Sequence, residues 1–223
     1  MSINVAIDGP AGAGKSTIAR MLARELNYIY VDTGAMYRAM ALYMIEHKID
    51  VSHLDEVGSA CDAITIDIQY SAGEQQVILN GKNVNDFIRT ETVSEMSSKI
   101  SAIPEVREKL LSLQRSLAAA ENVIMDGRDI GTHVLPNADV KIFLTADAHV
   151  RAVRRYEEFI AKGVSCTLEN VEREVIERDE RDMNRAIAPL KQAEDAVRVD
   201  TSAMTIEEVV CYLKNLIGQA VAR

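Results

Sequence analysis

The eight residues Gly9-Pro10-Ala11-Gly12-Ala13-Gly14-Lys15-Ser16 restrict what this chain can fold into more than any other segment. They fit the spacing GxxxxGK[ST] at every fixed position, with Thr17 next. Before them lies the short β-branched run Ile3–Ile7; after them Ile18, Met21, Leu22, Ala23 and Leu26 recur at helical spacing. Strand, glycine-rich loop and helix in that order form a phosphate cradle. Glycines let the backbone curl so that consecutive N–H groups point inward, and the helix beginning near Lys15 adds the positive end of its dipole. Lys15 is then placed to reach β- and γ-phosphates, and the Ser16 hydroxyl to meet Mg²⁺. Gly9, Pro10, Ala11, Gly12, Ala13, Gly14, Lys15, Ser16 and Thr17 are the expected contacts of a bound ATP. A chance glycine-rich turn would have no reason to sit between these two elements.

The pattern continues as α/β. Tyr28–Val31 reads as a second strand ending in an Asp32-Thr33-Gly34 turn, and Ala35, Met36, Ala39, Met40, Tyr43 and Met44 form the stripe of the next helix. This alternation calls for a doubly wound parallel sheet covered on both faces. After Cys61 the period switches to two: Ile64, Ile66 and Ile68 alternate with Thr65, Asp67 and Gln69. Ser71-Ala72-Gly73-Glu74 then turns, Val77 and Leu79 alternate again, and Asn80-Gly81 is a strong hairpin dipeptide. Residues 62–90 are therefore expected to be a small antiparallel insertion, with 1–61 and 91–223 forming the core. Helical spacing returns at Val93, Met96 and Ile100, and again from Pro104 through Val106, Leu110, Leu113 and Leu117. Val123–Asp126 and Val140–Leu144 are further strands, and a long charged helical stretch is expected over about 147–185. Ala196–Asp200 is the last strand, and Thr205 with Glu208 makes a capping box for the final helix.

Composition narrows the function classes. A length of 223 residues suits one domain with an insertion. The net charge of −9 opposes a nucleic-acid or anionic-membrane partner, while leaving room for a small anionic substrate held by local cations. Cys61, Cys166 and Cys211 are odd in number and show no CxxC spacing, which suits reduced thiols in a cytoplasmic protein and argues against zinc. No run of 18 apolar residues occurs, and the first residues lack the basic and apolar regions of a leader, so neither a span nor a signal peptide is expected.

Among phosphate-loop proteins, a GTPase would need an NKxD guanine motif, which does not occur, and a motor ATPase would bring a glutamate beside the second-strand acid. Asp126 instead ends its strand and runs into Gly127-Arg128-Asp129, where it either holds Mg²⁺ or serves as a strand-end turn residue. Phosphoryl transfer onto a phosphate needs no general base, because the attacking oxygen is already anionic. Its difficulty is gathering negative charge, so arginines on several elements are the expected signature. Arg38 and Arg128 follow two different strands; Arg178, Arg181 and Arg185 fall along one helix face. Glu169–Arg173, Glu174–Arg178 and Glu177–Arg181 are also favourable i,i+4 pairs, which assigns Arg173 to the solvated surface. Arg181 and Arg185 repel one another unless an anion intervenes, making Arg185 the first ligand candidate and Arg181 the second. Arg151, Arg154 and Arg155 are either a clamp over ATP or a basic surface. His47, His53, His133 and His149 are scattered and read as surface or packing residues.

The segments Gly9–Lys15, Asp32-Thr33-Gly34-Ala35-Met36-Tyr37-Arg38, Asp126-Gly127-Arg128-Asp129-Ile130-Gly131-Thr132 and Glu177–Arg185 together resemble the bacterial cytidylate kinases. The likeness runs from about residue 3 to 215 in order and spacing. It implies a nucleoside monophosphate kinase fold: a five-stranded parallel core, an acceptor-binding insertion at 62–90 and a short helical lid near 147–165. It also implies transfer from MgATP to CMP or dCMP, with UMP a poorer acceptor, in a cytoplasmic monomer. By matched position, Arg38, Arg128 and Arg185 would grip the acceptor phosphate beside Tyr37, Thr33 and Gly34. Ser98, Arg107 and Asp129 would read cytosine, whose amino donor and O2/N3 acceptors suit an acid, an arginine and a hydroxyl. Asp182 and Arg178 would meet the sugar, and Arg154, with Arg151, would close over the transferring phosphate. Lys15, Arg128, Arg154, Arg178 and Arg185 are thus the expected catalytic set, with Ser16 and Asp126 toward the metal. Ser16 and Thr33 stand where other members carry glycine and serine. Two other readings remain at this point: a P-loop kinase with a different small acceptor, and a nucleotide-binding regulatory switch.

Overall fold

The computed structural model describes residues 2–71 and 73–221. In chain order the elements are β1 (Asn4–Asp8), α1 (Lys15–Leu26), β2 (Ile29–Asp32), α2 (Thr33–Glu46), α3 (Leu54–Ala63), β3 (Ile66–Ser71), β4 (Glu74–Leu79) and β5 (Lys82–Asn83). There follow α4 (Glu91–Ile100), α5 (Pro104–Ala120), β6 (Val123–Gly127), a π-turn (Ile130–Val134), β7 (Val140–Thr145), α6 (Ala148–Ala161), α7 (Leu168–Asn184), β8 (Val197–Asp200) and α8 (Ile206–Val221).

Five strands form a parallel sheet in the order β2-β6-β1-β7-β8. Its central strands are apolar on both sides, as a sheet covered on both faces requires. On β1, Ala6 joins Met36, Met40 and Met125 in one cluster, whereas Val5 and Ile7 join Ile18, Leu22, Ile124 and Leu213 in the other. The register brings the carboxyl ends together: Asp32 pairs with Asp126, and Asp8 with Gly127. Asp8 and Asp32 therefore end their strands and Asp126 stands one residue before the end of its own, at the crevice where open α/β sheets bind ligands.

The second sheet is antiparallel, β3-β4-β5, with Ile66 opposite Leu79 and Ser71 opposite Glu74. Asn80 and Gly81, at φ 47° and 82°, both lie in the left-handed region that a tight hairpin needs. The Ser71–Glu74 turn includes Ala72, which lies outside the described residues. Among the described residues this sheet shares the core of the larger one: Ile68, Val77 and Leu79 join the cluster that covers one face of the parallel sheet. Gln75 ties the two sheets directly. Its amide accepts from Asp32 N–H at 2.8 Å and donates to Asp32 C=O at 3.2 Å, continuing the free edge of β2.

Two expectations change. The charged stretch 147–185 is not one helix but two, α6 and α7, separated where Gly163 takes φ 73° and Thr167 caps α7 by accepting from Asn170 N–H. Asp32-Thr33-Gly34 is not a free turn either: α2 begins at Thr33, and Asp32 is its N-cap, accepting from Ala35 N–H at 2.8 Å. The Thr205–Glu208 capping box forms in both directions. Among the described residues no helix is long and apolar enough to cross a membrane.

Candidate active site

A cavity of about 750 Å³ opens over the carboxyl ends of β1, β2 and β6. The phosphate loop forms its floor. Gly9 lets the chain pass under β7: a Cβ there would lie 1.9 Å from the Leu144 carbonyl oxygen, at φ +148°. Gly9 and Pro10 stand outside the cavity wall, whereas Ala11 to Thr17 line it. Lys15 is buried, donating to Pro10 C=O at 2.7 Å. Burial first, and then the nearby Arg128 guanidinium, hold its ammonium well below the usual lysine range.

Arg151 settles one of the open alternatives, and neither option is right for it. It is a buried brace, not a clamp or a surface cation. Its guanidinium donates to Ala146 C=O at 2.9 Å and Ala11 C=O at 2.8 Å, and pairs with Asp179 at 2.6 Å. Asp179 in turn accepts from Ala11 N–H at 3.4 Å, so the loop is held from both sides. Arg154 and Arg155 do face the cavity, with Arg154 donating to Thr201 C=O at 2.8 Å.

Asp126 accepts from Ser16 Oγ at 2.7 Å on one oxygen and from Tyr30 Oη at 3.0 Å on the other. Burial, reinforced by Asp32, raises its carboxyl well above the usual range. A hydroxyl and a carboxylate side by side are hard oxygen donors of the kind Mg²⁺ takes. Among the described residues there is no group of three or more His, Cys, Asp or Glu that could hold a metal alone. The residues thus fit a Mg²⁺ ion that is shared with nucleotide phosphates and water.

Opposite the loop stand the arginines, three of them on carboxylates. Arg38 pairs with Asp32 at 3.1 Å, and Arg128 Nε donates to Asp182 at 2.8 Å. Arg185 holds one Asp129 oxygen at 2.9 Å, while Arg107 holds the other. Arg178 Nε is buried without a partner among the described residues, and burial followed by Arg128 lowers its guanidinium to about 10. Burial would raise Asp182, but Arg128, Arg178 and Arg185 outweigh it and its pKa is lowered. Thr33, Gly34, Tyr37, Ser98, Gly127 and Asp129 complete the wall. Thr33 Oγ1 donates to Asp126 C=O at 2.7 Å, and burial pushes the Tyr37 phenol up to about 12.

Several residues fall elsewhere than expected. Arg107 does not line the cavity but stands behind Asp129, over the Tyr37 ring. Arg181 is exposed outside the cavity. None of the three expected Glu–Arg pairs on α7 forms among the described residues; Arg173 bonds Asn170 at 2.9 Å instead. The cavity also takes in residues that no motif singled out. Arg89 reaches Asp32 at 3.4 Å, and Thr201, Met204, Ile206 and Val209 form a less polar end beyond the loop.

Comparison with known proteins decides the family. A family model described as cytidylate kinase matches residues 5–219. The chain belongs to the cytidylate kinase family. A curated cytidylate kinase from Carboxydothermus hydrogenoformans is 51% identical over 219 residues, covering 97% of this chain and 98% of the relative. Another from Bacillus cytotoxicus is 45% identical, covering 99% and 98%. Among solved structures, an uncharacterized protein from Eubacterium ventriosum superposes with a TM-score of 0.53 at 14% identity, covering 98% of this chain and 99% of that one. A gluconokinase from Sinorhizobium meliloti does so with 0.50 at 14% identity, covering 97% and 92%. These two likenesses concern the fold alone. Membership in the cytidylate kinase family makes the chain an enzyme, a nucleotide kinase with ATP as phosphoryl donor.

Proposed function

We propose that this member of the family transfers the γ-phosphoryl group of MgATP to CMP or dCMP, giving ADP and CDP or dCDP, with the residues above in the following roles. The observation that carries the reading is one cavity holding a phosphate loop and, facing it, Arg38 from α2, Arg128 after β6, and Arg178 and Arg185 from α7 and its C-cap. Ala11 to Thr17 cradle the donor phosphates, and Lys15 neutralises the charge that builds on the β- and γ-oxygens. Ser16 and Asp126 would hold Mg²⁺, which when bound supplies further neutralisation of those oxygens. The less polar end near Met204 and Ile206 takes the donor base.

Arg38, Arg128 and Arg185 hold the acceptor phosphate, exchanging part of their carboxylate contacts for phosphate oxygens. An acceptor phosphate oxygen attacks the γ-phosphorus as the bond to the β-γ bridging oxygen breaks; it is already ionised, so no side chain takes a proton. Asp129 and Ser98 read the cytosine edge, with Arg107 fixing Asp129 from behind. Arg178 and Asp182 meet the sugar. Residues 62–90 serve as the acceptor-binding insertion and 147–165 as a lid that carries Arg154 over the transferring group. A monomeric state and a cytoplasmic setting belong to the same reading.

The test is ADP formation from MgATP with CMP, dCMP, UMP, AMP and shikimate offered separately. Strong turnover with CMP and dCMP supports the reading. Turnover with another acceptor alone would retain the phosphate loop and overturn the cytosine assignment, and silence with all five would favour a nucleotide-dependent switch.

A further inference from the structure

Asp129 stands at the head of the π-turn, the position from which an aspartate ordinarily caps the first free backbone N–H groups. Its carboxylate makes no cap bond and is given over to Arg107 and Arg185. The π-turn is capped from another strand instead. Asp8, the last residue of β1, accepts from Ile130 N–H on one oxygen and Gly131 N–H on the other, both at 2.7 Å. Asp8 is 4% exposed. The fit is close: a Cβ on Gly131 would lie 3.3 Å from Asp8 Oδ2 and 3.2 Å from Lys141 Cδ. Without this cap, the acceptor nearest in sequence to those N–H groups is the Asp129 carboxylate itself, which would have to leave its arginines to reach them.

We propose that Asp8 is a specificity-positioning residue: by capping the π-turn from β1 it keeps the Asp129 carboxylate turned toward Arg107 and Arg185, where the acceptor base is read. The inference rests on the cytosine-reading role given to Asp129 above. It also assigns a task to the residue that directly precedes the phosphate loop, linking the donor side of the cavity to the acceptor side.

The test compares Asp8→Asn with the wild type. Asparagine keeps the shape and one acceptor oxygen but sets an NH₂ against the other backbone N–H. Loss of one charge-assisted bond is expected to raise KM for CMP about tenfold. KM for ATP and kcat should stay unchanged, and the preference for CMP over UMP should fall with the rise in KM. In an Asp129→Ala background the same substitution should add nothing to either quantity, because the cap then has no carboxylate to hold. A rise in KM for ATP alone, an equal loss with both acceptors, an unaltered CMP/UMP ratio, or additive effects in the double variant would each overturn the inference. Should Asp8→Asn fail to fold, amide exchange in Asp129→Asn decides it. Slow exchange at Ile130 and Gly131 supports a cap from Asp8, and fast exchange overturns it. Wild-type CMP turnover is measured first: its absence overturns the reaction and this inference together, whereas turnover with an unaltered Asp8→Asn overturns the inference alone.

Discussion

Replacing Asp129 with alanine removes the carboxylate that Arg107 and Arg185 share. The Arg107 and Arg185 side chains are 6% and 7% exposed and the Asp129 side chain 8%, so neither cation can recover its hydration without moving. Each keeps a backbone acceptor, Ser101 C=O at 3.1 Å for Arg107 and Ala188 C=O at 2.5 Å for Arg185, but no anion remains between them. Breaking a buried pair by removing one partner costs about 3–5 kcal/mol. For a chain of this size each kcal/mol moves Tm by about 2–4 °C, so Asp129→Ala should melt roughly 6–20 °C below the wild type. The surviving carbonyl contacts favour the lower half of that range. The assay is thermal unfolding without nucleotide at low ionic strength, repeated with inorganic phosphate, which should recover part of the loss by sitting between the arginines. In turnover, the preference for CMP over UMP should weaken more than ATP binding does. A drop of less than about 3 °C, with no response to phosphate, would refute the reasoning by showing that both guanidiniums are effectively hydrated.

Three further outcomes are expected. Arg38→Ala should lower kcat/KM for the acceptor by about a hundredfold while ATP binding, followed by calorimetry, survives; undiminished turnover would remove Arg38 from the site. Gly9→Ala places a methyl 1.9 Å from the Leu144 carbonyl and strains a φ of +148°, so it should displace the loop, abolish ATP binding and lower Tm; wild-type affinity would contradict the close approach. Burial, the largest influence, raises Asp8 from 3.8 to about 6 against the two backbone bonds that lower it. A carboxyl raised on folding stabilises the native state below its unfolded pKa and loses that contribution as pH rises through the folded value. Between about pH 4 and pH 7.5, the stability of Asp8→Asn relative to wild type should therefore climb by up to about 3 kcal/mol, read from denaturant midpoints; a pH-independent difference would refute it.

Asp8 also shows where a sequence reading stops. It appears only as the polar end of a strand, and nothing in its spacing reveals that its partners are the N–H groups of Ile130 and Gly131, 122 and 123 residues away. Arg151 and Arg154 make the same point from the opposite direction. Both lie on α6, three residues apart, yet one is locked beneath the phosphate loop and the other faces the cavity. Asp179 and the loop, brought by other elements, make the difference. On α7, Arg173 and Arg181 have the spacing for ion pairs, but at an exposed helix surface such pairs contribute only a few tenths of a kcal/mol, too little to fix a side chain. The break between α6 and α7 was within reach of a local reading. Gly163 followed shortly by Thr167 is a helix stop and a new N-cap, a signal masked by the run of charged residues around them.

By itself the sequence determined the parts that depend on near neighbours. The phosphate loop between strand and helix, the Asn80-Gly81 hairpin, the Thr205–Glu208 cap and the doubly wound alternation all follow from backbone freedom and side-chain periodicity over a few residues. Tertiary structure alone decided which charged groups face the cavity and which are spent holding it. Strand order sets Asp8, Asp32 and Asp126 side by side, and only that placement distributes the arginines among carboxylates, carbonyls and open space. Ion pairs and remote caps are chosen by burial and distance in space, quantities that spacing along the chain does not encode.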